Sequence, residues 1–101
     1  MYLIKFAKAA EKDKQLIKRA GLERKTKELL NTITEDPFKN PPPYEQLLGN
    51  LQGNYSRRIS LQHRLVYTVL DNSDEILDAQ GIPYEGIVLV KRMWSHYDGV
   101  R

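Results

Sequence analysis

The sequence has no cysteine, which excludes a disulfide framework, thiol catalysis and cysteine-ligated zinc. It has only two histidines, too few for a histidine-cluster metal site. Neither a metal site nor a cofactor is expected. No apolar run approaches the ~18 residues of a membrane span. The opening Met-Tyr-Leu-Ile-Lys-Phe-Ala-Lys is too short to read as a secretory signal. A cytoplasmic protein without membrane contact is therefore the expectation. The 101 residues suit one domain, since domains most often run ~100–150 residues. They can build a single core that buries roughly 60–70% of the surface the unfolded chain exposes. Residues 1–101 are read as one unit.

What is present is unevenly charged. Residues 1–28 hold nine Lys/Arg and four Asp/Glu, residues 29–70 hold four and three, and residues 71–101 hold three and six. The net +3 thus hides a basic first third and an acidic last third. A basic third suits a surface that faces a polyanion. A solvated helix face would have the same composition.

Tyr2–Phe6 is short, apolar and β-prone, and predicts a strand. Lys8 to Ala20 is rich in Ala, Lys and Gln, which favour helix, with a narrow stripe of Ala9, Ala10, Leu16, Ile17 and Ala20. Leu22, Thr26, Leu29, Leu30 and Ile33 follow the spacing of one helix face up to Glu35. Gly21 is placed to bend the chain between two antiparallel helices. Pro37 marks the stop of the second helix. Four of the five prolines fall between Pro37 and Pro43, a stiff connector that fits neither a sheet ladder nor a helix interior. It delivers Glu45, in a short turn or strand. Asn54–Ser60 and His63–Leu70 read as a hairpin across Leu61-Gln62. Apolar residues on both faces of the second arm predict a central strand. Ile87–Val90 opens a further strand running towards Tyr97. Between them, Ile76-Leu77 can pair across a Gly81-Ile82-Pro83 turn. The fold class is α+β, with two N-terminal helices packed on a small, mainly antiparallel sheet.

Three ionisable side chains stand out on this plan: Glu45 after the connector, Arg64 at the start of the central strand, and His96 at the end of the last strand. Together they suit cleavage of RNA by its own 2′-hydroxyl. That reaction needs a base, an acid, and a cation to stabilise the charge building on the phosphate. It needs no metal. Taken singly, each residue has an ordinary structural role as well: a solvated loop carboxylate, a salt-bridge arginine, a surface histidine. Tyr44, Tyr55, Trp94 and Tyr97 offer rings on which unpaired bases can stack. Sheet packing uses such rings equally well. Alternation sends Arg57 and Arg58 to opposite faces, so one of them at most joins Arg64.

The run Asn50-Leu51-Gln52-Gly53-Asn54-Tyr55-Ser56-Arg57-Arg58-Ile59-Ser60, continuing Leu61-Gln62-His63-Arg64-Leu65-Val66-Tyr67, resembles the signature of the YoeB/Txe toxins of the RelE/ParE superfamily. Asp36-Pro37-Phe38, Tyr44-Glu45-Gln46-Leu47 and Ser95-His96-Tyr97 resemble its flanking motifs. The resemblance runs from about Leu22 to Tyr97. It implies a microbial-RNase-like α+β fold. It also implies the toxin of a type II toxin–antitoxin pair, an mRNA endoribonuclease (mRNA interferase) acting in the ribosomal 30S A site. On the matching positions it implies Glu45 as general base, His96 as general acid and Arg64 as the residue stabilising the transition state. It further implies Arg57, Arg58, His63, Tyr55 and Tyr97 as RNA- or ribosome-binding residues. The implied partners are the ribosome, mRNA and a YefM/Phd-like antitoxin. A homodimer and a toxin–antitoxin hetero-oligomer both stay open. Four features depart from the family pattern: the chain continues past Tyr97, Trp94 stands where a basic residue is common, Asp74–Glu85 is longer, and the first helix is unusually rich in lysine. They keep a second reading open, a catalytically inactive module that binds RNA, the ribosome or an antitoxin.

Overall fold

Tyr2–Phe6 forms the first strand, β1, of the computed structural model, which describes residues 1–94. Helix α1 follows at Lys8–Arg19 and helix α2 at Glu23–Glu35. Glu11 stands in the first turn of α1, and Lys18 and Arg19 in its last, which suits the helix dipole at both ends. The bend between the helices is a Schellman motif. The Leu22 amide donates to the Ile17 carbonyl at 3.0 Å and the Gly21 amide to the Lys18 carbonyl at 3.1 Å. Gly21 sits at φ 72°, the left-handed conformation that this motif assigns to glycine. Helix α2 stops at Asp36, in extended backbone, because the residue before a proline is pushed out of the helical region.

Strand β2 is only Glu45–Gln46. Strands β3, Tyr55–Arg58, and β4, Arg64–Leu70, make the hairpin, and Gly86–Arg92 is strand β5. The sheet order is β1-β5-β4-β3-β2. Strand β4 is the central one, as its apolar residues on both faces predict. Strand β1 lies parallel to β5, with Tyr2 opposite Gly86 and Phe6 opposite Val90. The other pairings are antiparallel. Between Leu70 and Gly86, Leu77 bridges Pro83. Asn72 braces this segment by donating to the carbonyls of Ile76 and Tyr84, both at 3.0 Å.

The core lies between the helices and one sheet face. Ala10, Ile17, Leu29 and Ile33 meet Leu65, Tyr67, Val88 and Val90 there. On the other face Val66 is covered by Leu47 and Leu51. The buried side of α1 differs from the expected stripe in one respect. Between Ala10 and Ile17 it buries a carboxylate, Asp13, at 2% exposure. Asp13 accepts hydrogen bonds from Arg92 Nε at 2.9 Å, Arg92 Nη2 at 3.2 Å and the Met93 amide at 3.0 Å. It fastens α1 to the end of β5. No helix among the described residues is long and apolar enough to cross a membrane.

Candidate active site

Strand alternation and register place the site. Glu45 lies opposite Ser56, Ser56 opposite Val66, and Arg58 opposite Arg64. These residues therefore share one face of the sheet. Tyr55, Arg57, Leu65 and Tyr67 share the other, where the helices pack. On the face away from the helices, Pro43, Tyr44, Glu45, Ser56, Arg58 and Arg64 line a cleft of about 270 Å³.

Arg64 is the hub of the cleft. Its Nη1 lies 3.3 Å from Glu45 Oε2 and 3.4 Å from Ser56 Oγ. The Glu45 side chain is 61% exposed and that of Arg64 27%, so the pair stabilises the fold by only about 0–1 kcal/mol. Arg58 adds a second guanidinium directly across the strands from Arg64. Like charges in that position destabilise a sheet. Two guanidinium groups and one carboxylate leave the cleft with a surplus of positive charge, an arrangement relieved by an incoming anion. Glu45 can take a proton from a bound hydroxyl, and Arg64 and Arg58 can hold a phosphate beside it.

Arg57, Tyr55 and His63, also expected at the site, fall elsewhere. Arg57 does not reach the surface: it is 0% exposed, which corrects the expectation that it contacts RNA. Alternation from Arg58 turns it to the helix side. There Nε bonds the Tyr67 hydroxyl at 3.1 Å, Nη1 the Pro42 carbonyl at 2.7 Å, and Nη2 the carbonyls of Pro37 and Lys39 at 3.0 and 2.9 Å. The Tyr67 hydroxyl donates onward to the Pro37 carbonyl at 2.7 Å. Burial pushes this phenol above its ordinary pKa, against the opposing pull of Arg57, so it stays a neutral donor. Tyr55 packs in an aromatic cluster on the same side, edge-on to Phe38 at 5.1 Å between ring centroids. His63 stacks on the Trp94 indole at 4.1 Å and hydrogen-bonds the Trp94 carbonyl through Nδ1. The carbonyl can only accept, so Nδ1 carries the proton. This ties the hairpin to the end of β5. His96 and Tyr97 lie outside the described residues.

Ser56 was not singled out in the sequence. Its position two residues before Arg58 gives it the same face, but its place beside the carboxylate depends on the β2–β3 register, which the sequence does not print. Asp13 was missed for another reason: an acid within a helix stripe ordinarily reads as solvent-facing.

Comparison with known proteins follows the same lines. The family description "YoeB-like toxin of bacterial type II toxin-antitoxin system" matches residues 6–81. Toxin YoeB of Synechocystis sp. is 44% identical over 61 residues, which cover 60% of this chain and 64% of that protein. Toxin YoeB of Escherichia coli K12 is 41% identical over 63 residues, covering 62% and 68%. The matched stretch thus spans about two thirds of the length of these curated relatives. Among solved structures, a heterotetrameric YoeB-YefM toxin–antitoxin complex from Staphylococcus aureus superposes with a TM-score of 0.67 at 28% identity, covering 96% of this chain and 99% of that one. A YoeB/ParE toxin from Agrobacterium tumefaciens shares the fold with a TM-score of 0.75 at 24% identity, covering 94% and 99%.

Proposed function

Since this chain belongs to the YoeB-like toxins of bacterial type II toxin–antitoxin systems, we propose that it is a ribosome-dependent mRNA endoribonuclease that cuts without a metal. The observation that carries this reading is the open Glu45–Arg64 pair on the floor of a cationic cleft. The support is the convergence of a solvent-accessible carboxylate and two guanidinium groups on one cleft of the sheet, where a base and a phosphate-binding cation are both needed.

Glu45 takes the proton from a ribose 2′-hydroxyl. The 2′ oxygen attacks the adjacent phosphorus, the bond from phosphorus to the 5′ oxygen breaks, and a 2′,3′-cyclic phosphate forms. Arg64 stabilises the charge that builds on the phosphate oxygens, with Arg58 beside it. His96 returns a proton to the leaving 5′ oxygen. Its role rests on the resemblance of Ser95-His96-Tyr97 to the closing motif of the family. Tyr97 follows as a ribosome or substrate contact. The inhibitory partner is an antitoxin of the YefM type, the kind found with the S. aureus toxin. Its segment would cover this cleft.

Primer extension tests the reading. After expression of the chain, new 5′ ends are expected within a translated message and not in the same transcript stripped of its start codon. A translated message without new ends overturns the assignment. Salt gives a second measurement. With Arg58 and Arg64 each neutralising a phosphate, log K for a single-stranded message should fall against log salt with a slope of about −1.4 or steeper. Arg58→Gln should flatten it by ~0.7. An unchanged slope in that variant removes Arg58 from the phosphate.

A further inference from the structure

Arg57 is a buried cation whose hydrogen bonds, among the described residues, go to oxygens of carbonyls and a phenol. Removing a guanidinium from water is costly unless its N–H groups are satisfied. Four of them are satisfied here, and three go to one stretch of backbone. That stretch is the connector Pro37–Pro43. Its four prolines carry no amide donors, so beyond the turn bonds of the Phe38 and Lys39 amides to Asp36 it has little of its own to hold it in place. Its carbonyls converge on Arg57 instead. The guanidinium also lies beside the Tyr44 ring, 5.1 Å from its centroid. Arg57 therefore touches residues 37, 39, 42 and 44, and the next residue is Glu45.

Glu45 has little else to fix it. Strand β2 is two residues long. Its pairing partners are Ser56 and Tyr55, the two residues before Arg57. The exposed bond to Arg64 at 3.3 Å is too weak to orient a carboxylate by itself.

We infer that Arg57 is a positioning residue: by gathering the connector carbonyls under the sheet it sets where the Glu45 carboxylate stands against Arg64 on the opposite face. This rests on the reading of Glu45 as the base. The planar fork is the reason an arginine is needed. A lysine ammonium offers donors from one centre and cannot span three separated carbonyls in one plane.

The test uses the full chain with translating ribosomes. Arg57→Lys is expected to lower kcat by ~10²-fold, the size of loss that a misplacement of about 1 Å causes, and to leave KM within about twofold. In a Glu45→Gln background the same change should cost less than about threefold, since residues that act through one another do not add. Amide exchange reads the positioning without any cleavage. The Leu47 amide, bonded to the Asn54 carbonyl at 2.9 Å, should exchange ~10-fold faster in Arg57→Lys while amides of β4 keep their protection. If Arg57→Lys does not fold, Tyr67→Phe decides. It keeps the ring and removes one bond to the guanidinium and one to Pro37. It should show the same pattern with a loss of ~10-fold in kcat.

Losses that multiply in the double variant, or a Leu47 amide that exchanges as in the parent, overturn the inference. Full cleavage by Glu45→Gln alone overturns the reading of the base instead, and the exchange measurement still decides whether Arg57 holds β2.

Discussion

Glu45→Gln is expected to slow message cleavage by about 10²–10⁴-fold, the range that one acid–base group contributes, with the fold intact. The substitution is nearly isosteric and removes a single charge. It weakens an ion pair whose carboxylate is 61% exposed, so the unfolding midpoint should move by less than about 1 kcal/mol. Message binding should hold or tighten, because Arg64 loses a competitor for the phosphate. Single-turnover cleavage, a binding isotherm and a urea titration on one preparation separate these effects. Cleavage at the parent rate would take Glu45 out of the reaction. A loss of activity that tracks a loss of fold would make it structural.

Asp13→Ala is expected to have the largest effect on stability, about 1–3 kcal/mol, the usual cost of leaving a buried hydrogen-bonding group without its partner. The carboxylate is 2% exposed and bonds both nitrogens of the Arg92 fork and the Met93 amide. Alanine leaves a buried amide without its acceptor and a guanidinium without this counter-charge. For a domain of this size each kcal/mol corresponds to a fall in Tm of about 4–8 °C. Asp13→Asn keeps an oxygen for the Met93 amide and should fall between the two. A urea midpoint within 1 kcal/mol of the parent for Asp13→Ala would mean that the clasp does not couple α1 to β5.

Much of this fold can be read from local pattern. The strand at Tyr2–Phe6, the helix face of Thr26, Leu29 and Ile33, the stop before Pro37 and the central place of β4 each follow from periodicity or from a proline. Those signals act over a few residues. Pairings across the chain carry no such signal, and the parallel register of β1 on β5 could not be read in advance. The site divides in the same way. Glu45 and Arg64 stand out by chemistry and position, and the register brings them to 3.3 Å. Arg57 and Arg58 look alike in the sequence. Alternation separates them, but which face carries the core is a property of the assembled layers. That face made one arginine a candidate for phosphate and buried the other under prolines.

The β1–β5 pairing also bears on how the protein is made. Residues 2–6 are hydrogen-bonded to residues 86–90, so β1 finds its partner only when almost all of the described chain exists. Domains generally fold as units as synthesis proceeds from the N-terminus. Here the helices and the β3–β4 hairpin have local partners, whereas β1 has none until β5 appears. Contacts of such long sequence separation slow folding, because the loop must close before they repay it. The cleft and its carboxylate can be complete in sequence while the sheet beneath them is still open. The nascent chain therefore carries Glu45, Arg58 and Arg64 before it has the scaffold to use them, while the proposed acid, His96, is added only after β5.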